Sequence, residues 1–387
     1  MAQAADGKSI SASAHAEVMR AYIAEGEKRA YALGNRGPIR LDEAGKLHPD
    51  ILEAYWRTGF YVFEGVVSPE ELADLRSDIE DVLARAPAEP GAETDRQGRP
   101  ALGGAYTKPP YRFAKPLSDP RGGTTVNTGR HPVKMEDPTP DGSAPEWTIE
   151  GLDGNLHLMD ATLRLYGHPG LLAIAEAING ADFVPYNEVC FIKEPGLGPS
   201  VAWHQDGTTH WDAPDWDQGA HGFNFMTQLY PSTAANCVWT IPGSHKLGKV
   251  DLRGLVEANG SERLPDAVPM VCEPGDVMVL NRQAVHGSFA NTSGDRRVTI
   301  NAGFFPRKRV ENVSTTKLNG QADTYTPERI LERCRIIALG IDARQQKYPD
   351  EPRYVYQPLA GEEDANRWSE SAREAVLKDY NLRDMYI

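Results

Sequence analysis

From Phe183 to Phe305 the chain breaks into short runs of β-forming residues: Val184 to Ile192, Val201 to Asp206, Gly222 to Tyr230, Cys237 to Ile241, Val268 to Val271, Asp276 to Asn281 and Arg297 to Phe305. Turn-forming clusters such as Glu194-Pro195-Gly196, Ile241-Pro242-Gly243, Glu273-Pro274-Gly275 and Thr292-Ser293-Gly294 separate them. Parallel strands need long crossover connections, usually helical, and none is legible between these runs. The pattern therefore predicts an antiparallel sandwich or barrel rather than a parallel α/β sheet.

The rest of the chain reads as cover for that β region. Val18, Met19, Tyr22, Ile23, Ala30 and Tyr31 recur at helical spacing between Ala14 and Ala32, with Gly34 as a stop. Pro49 to Trp56 predicts a short helix and Gly59 to Phe63 a strand. Ser68-Pro69-Glu70-Glu71 then has the N-cap serine, first-turn proline and third-position glutamate of a capping box. A helix from Ala161 to Ile178, divided near Gly167 and Pro169, precedes the β region, and helical segments Pro327 to Leu339 and Ala365 to Leu377 follow it.

Residues 87 to 145 hold eleven Pro and eight Gly without periodicity, too long for an ordinary connection and suited to a functional lid or an ordered surface loop. Between Arg99 and Lys134 stand seven basic residues and one acid, Asp119, inside a chain whose net charge is −14. Two readings follow: the charges pair with acidic neighbours, or they form a positive rim that draws in an anionic substrate. On the second, Lys108, Arg112 and Lys115, clustered with Tyr106 and Tyr111 around a stiff Pro109-Pro110, are the leading substrate contacts, and the substrate carries a carboxylate, phosphate or CoA. The overall negative charge argues against a nucleic-acid partner. No apolar run is long enough for a membrane span, and the first residues lack the apolar stretch of a signal peptide, so a cytoplasmic location is expected. Cys190, Cys237, Cys272 and Cys334 follow no metal-binding spacing and read as reduced core residues.

The chemistry concentrates in two strands. In Trp203-His204-Gln205-Asp206 a histidine and an aspartate two apart on a strand share a face. A later strand leads into His286-Gly287-Ser288 and offers a second imidazole. Two histidines and one carboxylate form the facial triad that holds Fe(II) with positions left open for reaction. Arg297, at the start of the next strand, is costly to bury without an anion. The 5-carboxylate of 2-oxoglutarate would supply one, with Ser288 adding a hydroxyl.

These pieces, in this order, resemble the phytanoyl-CoA dioxygenase family of Fe(II)- and 2-oxoglutarate-dependent oxygenases, which includes ectoine hydroxylase. The matching segments are Trp203 to Asp206, Asn236 leading into Ile241-Pro242-Gly243-Ser244-His245-Lys246, Pro274-Gly275-Asp276, and His286-Gly287-Ser288 with Arg297, preceded by Phe191-Ile192-Lys193. The resemblance implies a mainly β fold with flanking helices: a double-stranded β-helix, the cupin-like jelly roll. It implies His204, Asp206 and His286 as iron ligands, Arg297 and Ser288 as contacts of the 2-oxoglutarate tail, and Asn187 near the cosubstrate. Met226 stands where many relatives carry Trp and is a candidate substrate contact. Asp206 argues for hydroxylation over halogenation, because halogenating relatives replace that carboxylate with a small residue.

The expected organisation is an N-terminal helical extension (1–48), an oxygenase domain (49–310) containing the long loop 87–145, and a C-terminal helical and loop extension (311–387). The expected activity is O2-dependent hydroxylation of an unactivated C–H bond in a small organic substrate. Desaturation, cyclisation or epoxidation by the same enzyme class, and a non-redox cupin-like metal-binding protein or isomerase, are the alternatives. A homo-oligomer stays open. His245 reads as a structural residue in a turn. The Trp/Asp-rich insertion Trp211 to Asp217, flanked by His210 and His221, either lines the substrate entrance or covers a sheet edge.

Overall fold

Capping and close backbone approach fix the helices that surround the sheets. In the computed structural model, which describes residues 10–387, Ser11 opens helix α1 (Ala12–Ala32) by accepting a hydrogen bond from the Ala14 amide. The first nine residues of the expected N-terminal extension lie outside the described residues. Helix α2 (Pro49–Thr58) stops at Gly59, whose φ of 86° suits glycine. Helix α3 (Pro69–Ala84) is capped by Ser68, which accepts from the Glu71 amide at 3.2 Å. The reciprocal half of the capping box is diverted, since the Glu71 carboxylate is held by the buried Arg344 guanidinium at 2.6 Å.

Helices α4 (Asn155–Leu158), α5 (Asp160–Tyr166) and α6 (Pro169–Asn179) precede the β region, with the break at Gly167. Helix α7 (Leu252–Asn259) interrupts the β region, a short helix not foreseen because only Leu252 of its eight residues is buried. Helix α8 (Pro327–Lys347) runs eight residues beyond the expected Leu339, and α9 (Glu370–Leu377) begins five residues after the expected start. A Cβ on Gly167 would lie 2.2 Å from the Gly340 carbonyl oxygen, so the end of α5 and the middle of α8 meet backbone to backbone.

The strands are β1 (Arg36–Gly37), β2 (Phe60–Phe63), β3 (Tyr111–Ala114), β4 (Thr148–Asp153), β5 (Val184–Lys193) and β6 (Val201–His204). They continue with β7 (Phe223–Gln228), β8 (Trp239–Thr240), β9 (Val268–Pro269), β10 (Val277–Asn281), β11 (His286–Ser288) and β12 (Arg297–Phe305). Eight form one sheet in the order β1-β2-β10-β7-β12-β5-β4-β3, and four form a second in the order β6-β11-β8-β9. Every pairing in the two sheets is antiparallel except β1 with β2. The fold is a double-stranded β-helix, with the helical layer on the outer face of the larger sheet.

A large apolar core joins that sheet to the helices, including Phe183, Phe223, Phe304, Ile336 and Leu163. The smaller sheet is covered by α1, where Tyr22 stacks on Trp239 at 4.5 Å between ring centroids. A Cβ on Gly26 would fall 2.5 Å from the Trp239 ring, so the helix seats there only with glycine. The four cysteines are buried and free. Among the described residues, no helix is long and apolar enough to cross a membrane.

Candidate active site

The antiparallel register of β6 and β11 sets His204 directly opposite His286, with ring centroids 4.1 Å apart. Each Nδ1 lies beside a backbone carbonyl two residues earlier, Ala202 at 2.8 Å and Ala284 at 2.9 Å. A carbonyl can only accept, so both rings carry their proton on Nδ1 and present the Nε2 lone pair. Burial, then the neighbouring His286 and His131, holds His204 well below the usual histidine range, and burial lowers His286 as well. Neutral imidazole is the metal-binding form.

Asp206 completes the cluster from outside a strand. The expected strand Val201 to Asp206 stops at His204 because the next residues bond elsewhere. The Gln205 amide reaches the Gln283 and Gly248 carbonyls, and the Asp206 amide donates to the Arg282 carbonyl at 2.7 Å. Gly207 then turns at φ 105° against the His221 ring, which lies 2.3 Å from where a Cβ would be. Asp206 Oδ1 is 3.7 Å from His204 Nε2 and 3.2 Å from the Arg130 guanidinium, and Oδ2 accepts from Asn224 at 2.8 Å. Burial alone would raise the Asp206 pKa, but Arg130, Arg282 and both histidines outweigh it and hold the carboxyl well below the usual range. Ligand atoms of His204, Asp206 and His286 all lie within 4.8 Å of one another, which suits one metal ion. Asn224 orients the carboxylate as outer partners of metal ligands do.

The cluster opens into a cavity of about 280 Å³ that Arg297, Ser288, Asn187 and Met226 also border. Arg297 is 2% exposed; one Nη donates to the Asn236 carbonyl at 2.7 Å, while its Nε and the Ser288 hydroxyl are buried without partners among the described residues. Burial pulls the guanidinium down to about 10, so it stays charged at neutral pH. A buried cation beside an unsatisfied hydroxyl suits a carboxylate. These residues therefore fit the far end of 2-oxoglutarate.

The basic loop is different from the expected rim. All seven of its cations have acidic partners: Arg99 with Asp95, Lys108 and Arg112 with Asp153, Lys115 with Glu146, Arg121 with Glu150, Arg130 with Asp206, and Lys134 with Asp137. Lys108 and Arg112 border the cavity, but their charges meet on one carboxylate. Lys115 does not border it; its ammonium lies over the Trp147 ring and on Glu146. The partners of Lys108, Arg112, Lys115 and Arg121 come from β4 and its flank, which follow the loop in sequence and pair with β3 inside it; Asp95 and Asp137 lie in the loop itself, and Asp206 follows β6. His245 is structural: its Nε2 meets the Trp56 carbonyl at 3.1 Å, and its ring packs on Gly59. The insertion from Trp211 to Asp217 lies away from the cavity, with Trp211 against His221 and Arg309 gripping Asp215 and Asp217.

Several cavity residues escaped sequence reasoning: His131, whose ring tilts over His204 at 4.3 Å, Asn224, Arg282, Leu318 and Tyr386, while Arg130 was read only as one charge of the basic loop. Arg282, four residues before His286, carried the same signal as Arg297, a cation inside an apolar stretch. Leu318 and Tyr386 had none, because backbone bonds far along the chain bring them together: Leu318 amide to Asp384 carbonyl at 2.8 Å, and Tyr386 amide to Thr316 carbonyl at 3.0 Å.

Fold and site together define a double-stranded β-helix protein with a buried two-histidine, one-carboxylate cluster suited to a single metal ion. Residues 136–299 match the model of the phytanoyl-CoA dioxygenase family. Phytanoyl-CoA dioxygenase of Arabidopsis thaliana is 23% identical over 267 residues, covering 65% of this chain and 87% of its own. Phytanoyl-CoA dioxygenase 1 of Oryza sativa subsp. japonica is 32% identical over 159 residues, covering 39% and 55%. Among solved structures, EctD from S. alaskensis with 2-oxoglutarate and 5-hydroxyectoine aligns with a TM-score of 0.46 and 16% identity, covering 70% of this chain and 80% of its own. The cluster, Ser288 and Arg297 lie inside the matched segment; the segment 108–131 and residues Leu318 and Tyr386, which form another part of the cavity wall, lie outside it.

Proposed function

We propose that the protein is an Fe(II)- and 2-oxoglutarate-dependent dioxygenase that hydroxylates a C–H bond of a small organic substrate, with His204, Asp206 and His286 as iron ligands. The observation that carries this reading is the pairing, in one cavity, of a triad whose Nε2 lone pairs are set free by backbone carbonyls with a buried arginine that has no carboxylate partner among the described residues. A metal-binding protein without redox chemistry would have no use for that second anion site.

Bound iron supplies O2 activation coupled to decarboxylation of 2-oxoglutarate to succinate and CO2. The chain's own residues do the rest. Asn224 and the carbonyls of Ala202 and Ala284 hold the ligand atoms in place, so little reorganisation accompanies metal loading. Arg297 and Ser288 fix the tail of 2-oxoglutarate and thereby the orientation of its reactive end. Asn187 and Met226 border the remaining space and help position the substrate carbon. The surrounding wall excludes water.

The test is anaerobic reconstitution with Fe(II) and 2-oxoglutarate. A weak visible charge-transfer band and, on admitting O2, succinate formation are expected. Absence of both from protein that has bound iron would overturn the reading. His204→Ala and Asp206→Ala should each lose iron, and mass spectrometry of turnover products would separate hydroxylation from desaturation, cyclisation and epoxidation.

A further inference from the structure

Arg282 lies between β10 and β11, is 3% exposed and borders the same cavity as the triad. Its guanidinium carbon sits over the rings of Tyr186 and Phe305, 4.7 Å from each centroid. Its Nε is buried without a partner, and among the described residues no side-chain hydrogen bond or ion pair joins the guanidinium. Arg121, Arg130, Lys108 and Arg112, the other cations of the wall apart from Arg297, all have carboxylates.

The neighbouring backbone makes room for it. A Cβ on Gly303 would lie 3.0 Å from an Arg282 Nη and 3.1 Å from Asn224 Oδ1. Along β12, Arg297, Thr299 and Asn301 border the cavity on alternate positions, and Gly303 is the next in that row. Six residues of extended chain span roughly 20 Å. Two guanidiniums that make no ion pair among the described residues thus stand at opposite ends of one row, with Asp206 acting on Arg282 from beyond ion-pair distance. The two ring centroids lie 5.1 Å from each other, so both rings stand to one side of the guanidinium carbon, and among the described residues no oxygen accepts from its N–H groups, which leaves the fork for a two-oxygen acceptor. One fork and one charge match a carboxylate.

We propose that Arg282 binds a carboxylate of the substrate, which makes the substrate class a small organic acid, while Arg297 serves 2-oxoglutarate. The assignment of the second role rests on the oxygenase reading above; the anion site at Arg282 does not.

The probes are acetate, propionate, butyrate and benzoate, each beside its primary amide. They are titrated calorimetrically into the full chain loaded with Mn(II) and 2-oxoglutarate, and into the chain without either. At least one acid should bind tenfold or more tighter than its amide. Arg282→Gln should abolish that preference while 2-oxoglutarate affinity and melting temperature hold, Arg282→Lys should keep part of it, and Gly303→Ala should weaken it by crowding the guanidinium. The proposal is overturned if no acid outbinds its amide in the native chain, if the preference survives Arg282→Gln, or if Arg282→Gln loses 2-oxoglutarate instead. If Arg282→Gln does not fold, an unmoved preference in both Arg282→Lys and Gly303→Ala overturns it. Failure of the native chain to bind 2-oxoglutarate counts against the oxygenase reading alone, because the comparison of acids and amides without it still decides the role of Arg282.

Discussion

Replacing Arg297 by glutamine keeps a donor in reach of the Asn236 carbonyl but removes the charge. In the native arrangement one Nη is already committed to that carbonyl, leaving the Nε and the rest of the fork for a ligand. A hydrogen bond to a charged group contributes about 1.5–3 kcal/mol. At about 1.4 kcal/mol per tenfold, Arg297→Gln should weaken 2-oxoglutarate binding roughly 10- to 140-fold. Ser288→Ala removes a neutral donor and should cost about 0.5–1.5 kcal/mol, roughly 2- to 12-fold. Because burial brings the Arg297 guanidinium only to about 10, this cation contributes no pH dependence to binding between pH 6.5 and 8.5, and its loss should become visible near pH 10. The assay is anaerobic titration of 2-oxoglutarate into Fe(II)-loaded protein, followed by the charge-transfer band, with iron content measured in parallel. A change below threefold for Arg297→Gln, with iron retained, would refute the assignment.

Asn224→Ala should leave Asp206 free to rotate and lower metal affinity about 10- to 100-fold, as loss of outer-shell partners does; equilibrium dialysis with Co(II) reads it directly. Burial pushes His168, His221 and His245 each down to about 4, so the folded state binds fewer protons than the unfolded state as pH falls from about 6.5 towards 4, and stability should fall across that window. His245→Gln should reduce the slope of unfolding free energy against pH by up to about 1.4 kcal/mol per pH unit, measured by urea melts at pH 7, 6 and 5. Gly167→Ala places a methyl against the Gly340 carbonyl and should lower the melting temperature through overpacking of about 1–3 kcal/mol or more; an unchanged melt would mean that α5 and α8 do not meet closely there.

The strands were legible because alternation and turn residues are local signals, and the identities of the three cluster residues were legible because their types and spacing carry chemistry. The route by which Asp206 reaches the cluster was not. It depends on Gln205 bonding to Gln283 and on Gly207 packing against His221, both distant in sequence. The basic loop left its two readings open for a related reason. Its excess charge was real, but β3 inside the loop pairs with β4 just after it, and that pairing brings Asp153 to Lys108 and Arg112. Charge counted along a window misses partners delivered across a sheet. Arg282 needed only the argument already applied to Arg297, whereas Tyr386 is joined to the wall by tertiary hydrogen bonds that no local pattern encodes.

The division of the cavity wall has a practical meaning for engineering. The cluster of His204, Asp206 and His286 and the Arg297 end come from residues 136–299, while the segment 108–131 and the pair Leu318 and Tyr386 approach from either side of that stretch in the chain. Exchanging the Leu318 and Tyr386 piece with that of a relative leaves the triad's neighbours in place, whereas exchanging 108–131 also replaces Arg130, which pairs with Asp206, and His131, whose ring lies over His204. A chimera that changes the first piece, or that keeps Arg130 and His131, should keep its iron and its succinate production in the absence of substrate while its choice of substrate changes. Chemistry and part of the selection can then be varied on separate stretches of the same gene, with Arg282 kept in place inside the matched segment.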